Sequence, residues 1–396
     1  VDQEAQIYKN NSTNNFIKIK LKGDDKNLLG IDSRVIVETE STSQMQELTM
    51  TRGFQSSVSS YLNFGIGNDD KIKKITVIWN NGNQQILDNV EINSTIELDI
   101  NNSVSKEVIV NNDYNTYFES ENMIEYKHEE NVYNDYEKEV LLPHENSRLG
   151  PGIASGDVNG DGLEDFIVGG AKNQKTALFI QNNRGSFNKL DNVFPESHKN
   201  YEDMDMILED FDNDGDKDLY IVSGGNEYEP NSPMLKDRLY MNDGFGNFKF
   251  NDESIPDNFS SGMRVSSADF DKDGDLDLFV GGRVVPGNYP IPADSYLLIN
   301  NSSKDKISFN NADESVFPYK DIGLVTSSVW ADYNNDSWPD LIVVGEWTPI
   351  IFYKNIEGSF SEDNSLIDKD STRGWWYDVV SEDFDNDGDL DFVVGN

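Results

Sequence analysis

Residues 269–283 read DFDKDGDLDLFVGGR. Aspartates stand at positions 1, 3, 5, 7 and 9 of the leading nonapeptide, and glycine stands at 6. An apolar run follows at once. Four more segments repeat the pattern: DVNGDGLED from Asp157, DFDNDGDKD from Asp210, DYNNDSWPD from Asp332 and DFDNDGDLD from Asp383. Each leads into β-branched and aromatic residues: FIVGG, LYIVSGG, LIVVGEW and FVVGN.

Alternate oxygen-bearing side chains around a sharp turn are what a short loop needs to wrap a hard cation. Ca²⁺ takes six to eight oxygens at about 2.3–2.6 Å, and glycine supplies the turn. The expected side-chain ligands are Asp157, Asn159, Asp161 and Asp165 in loop 1, and Asp210, Asp212, Asp214 and Asp218 in loop 2. Loop 3 offers Asp269, Asp271, Asp273 and Asp277; loop 5 offers Asp383, Asp385, Asp387 and Asp391. Position 7 would add a backbone carbonyl, from Leu163, Asp216, Asp275 and Asp389. In loop 4, Asp332, Asn334, Asp336 and Asp340 align, but Ser337 replaces glycine and Trp338-Pro339 replaces the polar pair. That loop is expected to be a weaker site, or one held by packing of Trp338.

An EF-hand is excluded. It requires glutamate at position 12 and flanking helices, whereas position 12 here is Val168, Ile221, Val280, Val343 or Val394. Each loop therefore joins two strands.

The formal charge is −41. The nonapeptides hold 22 acidic residues against two lysines, and five Ca²⁺ would still leave about −31. Such acidity argues against nucleic acid and anionic membrane as direct partners. There is no cysteine, hence no disulfide and no thiolate chemistry. No apolar run is long enough to span a bilayer as a helix. Three histidines, His128, His144 and His198, form no metal-binding pair, and no G-x-S-x-G elbow or phosphate loop occurs. A non-catalytic protein is expected.

The loop starts are 53, 59, 63 and 51 residues apart, a period that points to a propeller or array. Before each loop lies a short strand: PGIASG, MDMILE, MRVSSA, VTSSVWA and WWYDVVSE. After it comes a strand, a polar turn and a phenylalanine, as in LFIQNNRGSF from Leu178 and IFYKNIEGSF from Ile351. Four strands per repeat make a propeller blade.

These repeats resemble the FG-GAP/VCBS family, the blades of integrin-α-like β-propellers. The resemblance rests on GDVNGDG, VGG, NRGSF, GEWTPI (345–350) and RGWWYD (373–378). Residues 14–100 differ in texture. FIKIKLKG, KKITVIW and TIELDI alternate as half-buried strands. GFQSSVSSYLNFGIG, ITVIWNNGNQQ and NVEINSTIELDI resemble the ASPIC/UnbV domain, with Gly53, Phe54, Ser57, Phe64, Gly65, Gly67, Trp79 and Gly82 on its pattern. Asn80 stands where that family more often has proline.

The expected fold is all-β. Residues 1–13 precede an ASPIC/UnbV-like β domain at 14–100, a connector at 101–145 packs on the propeller, and blades fill 146–396. The last blade stops after two strands, about four and a half blades in this chain, and the resemblance implies seven in the complete protein. It also implies calcium-stabilised binding or scaffolding at a bacterial surface or outer membrane, beside nutrient-uptake machinery, with a protein or polysaccharide partner. A polysaccharide lyase or hydrolase and a purely architectural subunit are the alternatives.

Five of the six tryptophans lie between 330 and 376. Packing between blades is one role for them. The other is a ligand surface, for which Trp347, Trp375, Trp376 and Arg373 are candidates, with Arg283 and Tyr289 from a long insertion in the third repeat.

Overall fold

The computed structural model describes residues 11–51, 56–105, 124, 126–304 and 306–396. Gly53 and Phe54 lie outside the described residues, as does the connector over 106–123 and at 125. The chain divides into two compact units, Val1–Glu119 and Ser120–Asn396.

Among the described residues the first unit has seven strands: β1 Asn15–Lys22, β2 Arg34–Glu38, β3 Ser43–Glu47, β4 Tyr61–Gly67, β5 Ile72–Ile78, β6 Gln84–Val90 and β7 Ser94–Asp99. They form two sheets, ordered β4-β1-β7 and β3-β2-β5-β6. Alternation decides which side chains go inward. Ile17, Ile19 and Leu21 join Val35, Val37, Phe64, Ile75, Val77 and Trp79 in one core. The intervening lysines face water, where Lys20 and Lys22 meet Glu97 and Asp99 at 2.7 Å across the parallel β1–β7 pair.

Among the described residues the second unit contains four four-stranded antiparallel sheets and a final two-stranded one, each a meander in chain order. The first strands are Ile153–Gly156, Asp203–Glu209, Gly262–Ala268, Leu324–Ala331 and Asp378–Glu382. The second strands are Asp165–Val168, Asp218–Ser223, Asp277–Gly282, Asp340–Glu346 and Asp391–Gly395. First strands of successive sheets touch one another, so the sheets are arranged as propeller blades. The apolar cores lie between blades. One joins Ile167 and Leu178 of blade 1 to Met206, Leu219 and Ile221 of blade 2. Another joins Phe279 and Leu297 to Leu341, Val343 and Tyr353.

Every nonapeptide connects a first strand to a second strand. In blade 4, Ala331 pairs with Asp340 at the loop end and Leu324 with Glu346 at the other. Those ends are roughly 20 Å apart at about 3.3 Å per residue. The unit therefore has a loop face and an opposite face. WWYDVVSE is strand only from Asp378 onward. Trp375 instead bridges to Glu346 of blade 4, because its ring packs on that blade's far end.

Candidate calcium loops and an aromatic corner

The five loops share one hydrogen-bond pattern. The position-1 carboxylate accepts the N–H of residue 6: Gly162 to Asp157 at 2.7 Å, Gly215 to Asp210 at 3.0 Å, Gly274 to Asp269 at 3.2 Å, and Gly388 to Asp383 at 3.0 Å. Ser337 donates to Asp332 in the same way at 2.7 Å. Ser337 has φ 71°, so loop 4 makes the glycine turn without glycine, a conformation that costs an L-residue about 1–2 kcal/mol.

The position-9 aspartates are pinned. Asp165, Asp218, Asp277 and Asp340 accept a backbone N–H from Gln181, Asn242, Asn300 and Asn355, in or just after the third strand, at 2.7–2.9 Å. Each is buried. Burial, with the neighbouring carboxylates, pushes Asp218 up to about 7, Asp277 to about 8 and Asp340 to about 6. These loops concentrate negative charge that a cation would relieve.

The donor set fits a hard cation. One carboxylate oxygen from each of Asp210, Asp212 and Asp214 lies within 4.8 Å of the other two. The same holds for Asp269, Asp271 and Asp273, and for Asp383, Asp385 and Asp391. Oδ1 of Asp269 and Oδ1 of Asp216 are buried without a hydrogen-bond partner. Loop 4 is built differently. Asn334 donates its amide to Asp340 at 2.7 Å, and the Lys354 ammonium lies 3.5 Å from Asp336. A fixed cation already answers part of its charge.

Adjacent loops are also tied to each other. Asn213 at position 4 of loop 2 donates to Asp275 at position 7 of loop 3 (2.6 Å), and Asn335 of loop 4 donates to Asp389 of loop 5 (3.1 Å). Between loops 3 and 4 the same two positions hold Lys272 and Trp338, with the ammonium 4.1 Å from the ring centroid. Position 7, expected to contribute through its carbonyl, thus also carries a side-chain contact to the preceding loop.

On the opposite face a second constellation forms. Glu346 is fully buried and accepts from Arg283, Tyr289 and His144, the last at 3.1 Å. Gly345 lets blade 4 end there, since a Cβ would sit 2.3 Å from Leu324 O. Burial pushes the Glu346 carboxyl up, but hydrogen bonds from His144 and Tyr289 and the Arg283 charge outweigh it and hold it at about 2. The hydrogen bond to Glu346 raises His144 above its ordinary value.

Above this group the Trp347 and Trp375 rings meet at 63° with centroids 4.7 Å apart. Trp347 is 56% exposed and has φ 58°. Its indole N–H donates to the Tyr289 hydroxyl at 2.5 Å, and that of Trp375 donates to Tyr377 at 2.7 Å. Both donors are satisfied internally, so the corner offers ring faces.

Of the six candidate ligand residues, the fold brings together Tyr289, Trp347 and Trp375, with Arg283 buried beneath them. Trp376 packs beside Ile342 and Val344 and donates to Thr372 O at 2.9 Å. Arg373 is at the surface, 3.5 Å from Asp370. His144 and Glu346 were missed from the sequence, since nothing in local spacing joins residues so far apart.

His144 belongs to a segment that runs along this face. Glu129 N donates to Gln174 of blade 1, Asn131 to Glu227 of blade 2, and Tyr289 N of blade 3 donates to Glu139. His144 then reaches Glu346 of blade 4. One stretch thereby laces the second-to-third-strand loops of three successive blades and the second-strand end of the fourth.

Residues 23–105 match the ASPIC and UnbV family, and residues 157–221, 210–280 and 332–394 match the FG-GAP-like repeat. This chain is an FG-GAP-repeat protein with an ASPIC/UnbV domain. Each FG-GAP match spans two successive loops, so together they take in all five. No curated protein matches the chain. Among the described residues no helix of the FG-GAP protein is long and apolar enough to cross a membrane.

Proposed function

We propose that this chain is a calcium-stabilised, non-catalytic binding and scaffold module of a bacterial surface or outer-membrane-associated protein. The observation that carries the proposal is the set of five congruent loops, three of which gather carboxylate oxygens within 4.8 Å. Calcium at loops 1, 2, 3 and 5 would tie first strand to second strand in each blade, with loop 4 the weaker site. Extracellular modules bind Ca²⁺ with Kd of about 10⁻⁴–10⁻³ M, a level met outside the cell and not in cytosol. That supports an exported location, as does the FG-GAP-like match.

The aromatic corner supports a docking role. Its polar groups are engaged internally, the Glu346 carboxylate is paired with Arg283, and what reaches solvent is ring surface suited to a protein or polysaccharide partner. A place beside nutrient-uptake machinery accords with this and is tested by co-purification from native membranes.

Calcium is tested by melting the protein in Ca²⁺ and in EDTA, with metal analysis of the purified chain. The expected result is bound calcium and a melting temperature that drops on chelation and recovers with Ca²⁺, not with Mg²⁺. An unchanged melting temperature together with absence of bound calcium would overturn the proposal.

A further inference from the structure

A cavity of about 480 Å³ opens between the second and third blades, lined by both ends of the 283–295 insertion and by the 311–320 segment that leads to the fourth blade. This is within the range of about 300–1,000 Å³ that holds small organic ligands. Phe259 contributes an exposed ring, and Tyr319, half-buried against Tyr353 with ring centroids 4.5 Å apart, forms part of the wall. The lining also holds a reciprocal amide pair. Asn258 Nδ2 donates to Asn311 Oδ1 at 2.8 Å, and Asn311 Nδ2 returns the bond to Asn258 Oδ1 at 3.0 Å.

The pair locks both amides in place while using one N–H and one lone pair of each. Every amide group has two N–H donors and two acceptor sites. Two donors and two acceptors therefore remain at a fixed spacing. Vicinal hydroxyls, which donate and accept at once, complement such a set. An aromatic face beside it suits the apolar C–H face of a sugar ring.

Charge narrows the choice. The one lysine of the lining, Lys320, is 3.5 Å from Glu314, and Asp257 is engaged by Lys236 at 2.7 Å. With a formal charge of −41 on the chain, an anionic ligand finds no free cation here. We infer that the cavity is a binding subsite for a neutral saccharide, stacked on Phe259 and hydrogen-bonded by Asn258 and Asn311. The inference deepens the binding-module proposal and rests on it.

The test uses the whole chain in millimolar Ca²⁺, with saturation-transfer NMR and calorimetry. The probes are maltohexaose, cellohexaose, xylohexaose and mannohexaose, with oligogalacturonate as the anionic comparator. At least one neutral hexaose is expected to bind. Phe259→Ala is expected to weaken it about tenfold, the equivalent of a lost aromatic stack. Asn258→Ala with Asn311→Ala should weaken it further. No binding of any neutral probe, binding of oligogalacturonate alone, or binding indifferent to Phe259→Ala would overturn the inference. If calcium still stabilises the same preparation, that failure belongs to the saccharide subsite and leaves the module proposal standing.

Discussion

The Lys272 ammonium of loop 3 lies 4.1 Å above the Trp338 indole of loop 4. It occupies the place where Asn213 and Asp275 join loops 2 and 3. A cation over a ring is worth about 0.5–1 kcal/mol at an exposed site. Lys272→Ala and Trp338→Ala should each cost about that much in chemical denaturation. The double replacement Lys272→Asn with Trp338→Asp should recover most of the loss by restoring the amide–carboxylate link. A double variant no more stable than the weaker single one would show that the two positions are not coupled.

The third-strand asparagines hold neighbouring blades together. Asn242, Asn300 and Asn355 donate their amides to Val158 O, Phe211 O and Phe270 O of the preceding blade's loop at 2.8–2.9 Å. All three are buried. Removing the donor leaves a buried carbonyl unpaired, at about 1–3 kcal/mol. Asn300→Ala and Asn355→Ala should each lower stability by about that amount, whether or not calcium is present. A loss seen only in EDTA would mean that the amide acts through the metal loop.

Glu346 and His144 make stability depend on pH from both sides. Glu346 is held at about 2 against an ordinary 4.5. Its contribution is complete above about 4.5 and is lost as pH falls through about 2. His144 is raised above 6.5, so its contribution is complete below 6.5 and is lost as pH rises through the raised value. Denaturation of wild type and His144→Ala should differ most between about pH 4.5 and 6.5 and converge in alkali. Arg283→Met, which strands a buried carboxylate, should cost about 3–5 kcal/mol at neutral pH.

Trp347 combines exposure with a left-handed backbone. Trp347→Gly and Trp347→Ala lose the same indole but differ in tolerance of positive φ. The glycine variant should be the more stable by about 1 kcal/mol, while both lose partner binding at the corner. Equal stability would mean that the backbone there relaxes once the ring is gone.

The strands and loops were legible because their causes are local. Alternation at Ile17, Ile19 and Leu21 and the aspartate–glycine spacing from Asp157 to Asp391 each act within a few residues. The corner was half legible. Tyr289, Trp347 and Trp375 drew attention as aromatics, yet their base joins His144 to Glu346 across 202 positions, which only the folded chain brings together. Trp376 and Arg373 shared a motif with Trp375, but Trp376, as the next residue in extended chain, points to the opposite side, and Arg373 lies 3.5 Å from Asp370. The links between loops left a trace in the sequence that comparison of successive copies could have found: asparagine precedes aspartate, and lysine precedes tryptophan.

That trace is ordering information. Repeats so alike can dock in the wrong sequence, a recognised hazard of repeat proteins. If the second blade took the place of the third, Asn213 would face the Trp338 ring, which carries no carboxylate to accept from it. The cation–ring contact thus marks the third-to-fourth junction as unlike the amide-linked junctions on either side, and gives a chain of nearly interchangeable parts a way to count.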